Sequence, residues 1–428
     1  MGGKAAILLV LGFSLIFLVA GNNFNRVAST SVDNFSDYYT QTNAYNIARS
    51  AANIAANKVF FDQTWTAGFS NVSFADGKMS ASVQIINVIQ NIRKITASAT
   101  YQGITKTIEV TLQPSKFSKF AYYSANEPST IWWTTKDTVW GPMHVQGTLQ
   151  VAGRPVFNGK VTTQNGLTMF DPGHWKTIQV KIGKKWVNQK VWVPGADDPQ
   201  FNGGYETGVN LPLPANGVAD LEAASDAGGK KFTGQDTVFI KFQGDSVKYK
   251  YKKNNNYVAA LGSTFAPNGV IFAKDAVLRV EGTVKGQYSL GVSGSTSAKG
   301  KVFLDDDIVY NTNPRTNPGS TDLLGIISQY DVMITDNVAN RTNINIDASI
   351  YSQQGGFGAD NYSSRGVSGI INLYGGITQS VRRAVGTFSG STITSGFSKR
   401  YRYDDRLALI SPPYYPGTGA FQIVSWYE

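Results

Sequence analysis

AAILLVLGFSLIFLVAG, residues 5–21, carries no charge, and NNFNRVASTSVDNFSDYYTQTNAYNIARSAANIAANKVFF, residues 22–61, continues it without a proline. The apolar part is roughly 25 Å long as a helix, just enough to cross or nearly cross a bilayer core. Beyond it the pattern turns one-sided. Val27, Tyr38, Tyr45, Ala48, Ala52, Ala55, Ala56 and Val59 recur at steps of three or four, with Asn, Ser, Asp and Arg on the other faces. Together the two parts predict one long helix, greasy in its first third and amphipathic in the rest. After Trp65 the chain reads as a different kind of protein.

The period there changes from 3.6 to 2. MSASVQIINVIQ (79–90), IRKITASATYQG (92–103) and ITKTIEVTLQ (104–113) alternate or are β-branched, with Asp76-Gly77 and Gln102-Gly103 as turn signals. They predict a three- or four-stranded antiparallel meander laid on the second half of the helix. Farther on, GPMHV, GTLQVAG, RPVFNG and KVTT (within 141–163) are short strands punctuated by Gly, and the texture returns over 268–310. Near-regular short strands of this kind predict coils of a β-helix or solenoid, with a two-sheet sandwich as the alternative.

The expected class is α+β: a long N-terminal α-helix, a small antiparallel β headpiece and a large, mostly-β body. The boundaries read from texture are 1–65 for the membrane or filament-core helix, 66–115 for the headpiece, 116–313 for the body and 314–428 for a C-terminal β block. Within the body, residues from about 170 to 260 read as an insertion of hairpins, loop and one short helix, 218–229.

Composition narrows the function. Cysteine is absent, which excludes disulfides, thiolate metal sites and a cysteine nucleophile. The net charge of +10 is spread over 428 residues. It suits either an anionic partner or plain solvation of a large surface. The apolar run is an export signal cut after Val19-Ala20-Gly21, an uncleaved anchor, or a mature N-terminus behind a very short leader, MGG.

MGG, then KAAILLVLGFSLIFLVAG, then an amphipathic extension resembles the type IV pilin family. The resemblance implies a helix seated first in the inner membrane and later in the bundled core of a filament, packed by Ile7, Leu8, Leu11, Phe13, Leu15, Phe17 and Leu18 against like subunits. Two features depart from the family. Lys4 follows the glycines, and Ile7 or Leu8 stands where the family carries Glu at the fifth mature position. This suits a minor pilin or pseudopilin. GPMHV, NINIDASIYS, INLYGGITQ, YRYDDRL and PPYYP are further similar to bacterial surface proteins with a minor-pilin-like N-terminus. The implied partners are copies of itself or other pilin-like subunits, the implied place is the cell envelope or an extracellular filament, and the implied role is structural and adhesive.

Residues that would carry chemistry are few. His144 and His174 are the only histidines, too few and too far apart for zinc, and His144 is read as a structural hydrogen-bonding residue. No G-x-S-x-G elbow occurs. Asp305, Asp306 and Asp307 form the strongest acidic cluster. They read as edge solvation, as ligands for calcium, or as carboxylates of a surface polysaccharide-processing enzyme. No enzyme activity and no cofactor is expected, calcium standing as the alternative. In VKYKYKK (247–253), Lys248, Lys250, Lys252 and Lys253 offer contacts to a polyanion such as DNA or surface polysaccharide. The competing reading is an edge strand with lysines outside and tyrosines packed inside.

Overall fold

The computed structural model describes residues 2–389 and 392–428. The fold is α+β, with a long N-terminal helix, an antiparallel sheet and a large, mostly-β body. The chain forms two compact units, one made of residues 1–113 with 421–428, the other of residues 114–420.

In the first unit, α1 (Gly2–Phe61) is unbroken. Apart from Ala20, its described residues are exposed through Tyr39; burial begins at Thr40 and then follows Ala44, Ile47, Ala48, Ala51, Ala52, Ala55 and Val59. This stripe has the expected spacing and lies on a meander of β1 (Phe69–Phe74), β2 (Gly77–Asn87), β3 (Ile92–Tyr101) and β4 (Ile104–Lys116). Register puts Ala81 opposite Ala97 and Ala97 opposite Ile108, so the face towards the helix is built of small and β-branched side chains. Small residues on both surfaces let helix and sheet approach closely. A Cβ on Gly77 would lie 2.8 Å from Ile47 Cδ1 and 2.8 Å from the Thr100 carbonyl oxygen. Both predicted turns form. Gln102 and Gly103 have positive φ as a type I′ hairpin requires, and at the other turn the positive φ falls on Ala75 and Asp76, one residue early.

A fifth strand, Gly417–Tyr427, lies beside β4. Phe421 and Trp426 pack on the helix–sheet core, Arg93 lies under the Phe421 ring, and the Tyr45 hydroxyl donates to Glu428 Oε1 at 2.5 Å. Residues 314–428 are therefore not one block: the C-terminal strand completes the headpiece, because the open edge of β4 needs a hydrogen-bonding partner.

The second unit is a stack of parallel strands. One column of buried side chains runs Ile271, Leu290, Ile326, Ile350, Ile377, Tyr122, Met143 and Val161, each opposite the next in register. A second runs Leu278, Val302, Val332 and Phe357. Stacked coils with parallel, in-register pairing exclude the sandwich, whose sheets are antiparallel. The chain enters this stack in its middle, at Tyr122–Asn126, and winds outward to Tyr205–Thr207. It then crosses the outside through residues 208–229, including α2 (Gly217–Asp226), and restarts at the far end with Lys230–Phe232. From there it coils back until Val367–Val381 pairs with Tyr122–Asn126. Two half-stacks thus meet end to end in one continuous ladder.

The expected insertion from 170 to 260 is not one body. Gln200–Phe201, Tyr205–Thr207, Lys230–Phe232 and Thr237–Gly244 are coil strands, paired in parallel with their neighbours. The hairpin Gly173–Ile182/Lys185–Pro194 stands outside the stack as a sheet of its own, and α2 lies on the crossing outside it. Glycine-rich loops between these strands obscured their repeat in the sequence.

Candidate functional site

Over residues 5–21, α1 is apolar on every face, and all of these residues but the partly covered Ala20 are exposed. Exposure of its large apolar side chains runs from 53 % at Val19 to 73 % at Phe17, with Ile7, Leu8, Leu11, Phe13, Leu15 and Leu18 between them. A helix apolar all round is stable where other apolar matter surrounds it. Each of these side chains gains roughly 1.5–3 kcal/mol on full burial. The segment is long and apolar enough to cross a membrane. Past Gly21 the helix keeps a narrower exposed stripe of Phe24, Val27, Phe35 and Tyr38, spaced three, eight and three residues apart along one side. Val27 and Tyr38, which continue the one-sided pattern of the buried residues, belong to this open stripe; the sheet reaches only as far as Thr40.

Asp305, Asp306 and Asp307 form a bulge. Val280 pairs with Leu304 and Gly282 with Ile308, so three aspartates stand opposite the single residue Glu281. Gly282 adopts φ +111°, and a Cβ there would lie 2.1 Å from the Phe242 carbonyl oxygen. The carboxylates diverge to separate partners. Asp305 accepts from the Arg279 guanidinium and, at 2.7 Å, from Thr335 Oγ1. Asp307 accepts from the Asn345 amide and side chain at 2.8 Å each, and Asp306 accepts from the Asp307 amide. Among the described residues no three His, Asp or Glu side chains converge as metal ligands.

Lys248 and Lys250 lie on Ser246–Lys250, which pairs antiparallel with Thr237–Gly244 and closes the far end of the stack. Tyr249 packs on Phe232 and Phe265, while Lys250 lies over the Tyr257 ring at 4.4 Å and donates to the Lys253 carbonyl. Lys252 and Lys253 are exposed in the following loop. The lysines therefore form no continuous row: the strand is a cap with Tyr249 packed inward and Tyr251, just beyond it, exposed.

Where the half-stacks meet, the sequence had hidden a buried ionic cluster. Arg382 pairs with Glu127 at 2.7 Å and Lys399 with Asp137 at 2.7 Å, all four side chains being buried. The Trp133 ring lies under both cations, at 4.2 and 5.1 Å. Tyr122 donates to Glu127 and receives from Gln379. Burial works against the Arg382 charge, but Glu127 and Tyr122 outweigh it and raise its pKa; for Lys399 burial prevails over Asp137 and lowers it. A cavity of about 390 Å³ opens beside the cluster.

No family model and no curated protein matches the chain. Among solved structures it is similar to the competence-associated pilin ComZ from Thermus thermophilus, with 10% identity, coverage of 91% of this chain and 97% of that one, and a TM-score of 0.36.

Proposed function

We propose that the chain is a pilin-like structural subunit of a bacterial surface filament, of the minor or specialised kind. It works without catalysis or a cofactor. One observation carries this reading: α1 offers an uncharged, all-round apolar segment to its surroundings while its other end is packed into a folded headpiece. Lipid first and neighbouring helices later would satisfy the same surface, because both present apolar contacts. The absence of Glu at Ile7 or Leu8 favours a specialised position over a bulk one. The solenoid-like body would then be the exposed, adhesive part.

The chain has no cysteine, so a single Leu11→Cys or Leu15→Cys reports on the helix alone. In sheared surface filaments each variant should cross-link to itself or to another pilin-like subunit, whereas Lys252→Cys on the body should not. N-terminal sequencing of the mature chain should begin at Gly3 or Lys4. Recovery only in the inner membrane, without cross-links and with appendages and adhesion unchanged on deletion, would sink the proposal.

A further inference from the structure

The hairpin Gly173–Ile182/Lys185–Pro194 pairs with no other strand among the described residues and is exposed along both faces. Two-stranded ribbons are marginal in water unless something covers a face. Its base is firmly rooted: Asp171 accepts from the Ala196 amide at 2.9 Å, and Asp197 accepts from the Asp171 amide at 2.6 Å and from the Gly153 amide at 2.5 Å. A Cβ on Gly195 would lie 1.9 Å from the Asp171 carbonyl oxygen, so the two legs of the ribbon close tightly on each other at its base. A fixed root and a bare shaft, about 33 Å long at strand rise, make a projecting probe.

Register separates two faces. Trp175 sits opposite Trp192, with ring centroids 5.4 Å apart, and Lys181 opposite Trp186. The other face carries Ile178, Val180, Ile182, Val187, Val191 and Val193. Five lysines, Lys176, Lys181, Lys184, Lys185 and Lys190, stand among them, and no acidic residue occurs between Asp171 and Asp197. At the tip, Ile182 and Trp186 are the most exposed apolar side chains, flanked by Lys181, Lys184 and Lys185.

We infer that this hairpin docks on an anionic lipid bilayer. The partner must be negative, which removes a second copy of the ribbon, since that would oppose five lysines with five. It must also cover aliphatic side chains on the face turned away from the tryptophans. A glycan or nucleic acid stacked on the indoles leaves Ile178, Ile182 and Val187 wet. A bilayer surface takes the whole tip: aliphatic side chains at the acyl boundary, indole at the headgroup level, and lysine stems reaching back to lipid phosphates.

The test uses the full chain held through α1 in neutral nanodiscs and mixed with separate labelled vesicles. The wild type should float with phosphatidylglycerol-rich vesicles and bind pure phosphatidylcholine vesicles at least about tenfold more weakly. Lys184→Gln/Lys185→Gln should weaken binding roughly fivefold per lysine removed. Ile182→Asn/Trp186→Ser should weaken it at least as much. All four positions are exposed, and an unchanged thermal midpoint checks that the fold is kept. Because every variant keeps α1, transfer of that helix between bilayers cancels from the comparison. Equal binding to both vesicle types overturns the inference. So does the pattern of a soluble polyanion site: tight binding of alginate or single-stranded oligonucleotide that depends on the lysines, with vesicle binding indifferent to Ile182→Asn/Trp186→Ser.

Discussion

His144 is fully buried, stacked on Tyr123 with centroids 5.3 Å apart, and hydrogen-bonded to Thr162 at 2.8 Å and Gln146 at 3.0 Å. The Gln146 oxygen also accepts from the Leu211 amide, and its amide nitrogen donates to Gln164 and Asn210. Gln146 Oε1 is thus an acceptor, which fixes the proton of neutral His144 on Nε2. Through it the ring supports the segment that crosses the outside of the stack. Burial lowers the His144 pKa, against the opposing effect of the hydrogen bond His144 donates to Gln146. A histidine whose folded pKa lies below its unfolded value, about 6.5, lets the unfolded state take a proton first. Stability should therefore fall as pH drops through about 6.5 and level off below the folded pKa. Urea titrations of wild type and His144→Gln at stepped pH check this: the slope just below neutrality should be missing in the variant. Parallel slopes in the two proteins would show that the ring is not its source. The sequence offered His144 as a hydrogen-bonding residue because only two histidines exist; its partners come from three coils and could not be read there.

Within α1, the change from exposed to buried surface falls at Thr40, where the sheet begins to cover the helix. Ala44, Ala48, Ala51, Ala52 and Ala55 are fully buried against β2 and β3, and this alanine seam sets the helix-to-sheet distance. Ala51→Leu should overpack the seam and cost about 1–3 kcal/mol, whereas Phe24→Ala on the exposed stripe should leave the stability of the isolated subunit within about 0.5 kcal/mol. Denaturant midpoints of the two variants in detergent give the comparison. A neutral Ala51→Leu would mean that helix and sheet are not in close contact. Helix and meander were legible because each has a strong period, 3.6 and 2, broken once near Trp65. Where burial starts along the helix was not legible, since Val27 and Tyr38 keep the same spacing as the buried stripe and only the reach of the sheet distinguishes them. The fifth strand was equally hidden, as its partner β4 lies some 300 positions earlier.

For the whole body, the decisive fact is that two half-stacks meet in the middle of a ladder. Short Gly-bounded strands announced coils, but coil order is a long-range property, and here the order is broken by the crossing at residues 208–229. The joint is held by charges from opposite ends of the unit: Glu127 and Arg382 are 255 positions apart, and Asp137 and Lys399 are 262 apart. The acids come from the first half and the bases from the second. Removing one partner leaves a buried charge unpaired, so Arg382→Met or Glu127→Gln alone should cost about 3–5 kcal/mol, and the double variant should recover most of that loss. The cost should also show as lost cooperativity. Coils in a linear stack are stabilised by nearest neighbours, and an opened joint exposes the interior strands Tyr122–Asn126 and Val367–Val381 as new edges. Trp133 lies against both cations, so the part of the tryptophan emission change that a Trp133→Phe control removes should, in the variants, report the joint separating before the rest of the stack. Single variants that lose less than about 1 kcal/mol, or a double variant worse than either, would place the lock elsewhere, in the apolar column from Ile350 through Ile377 to Tyr122.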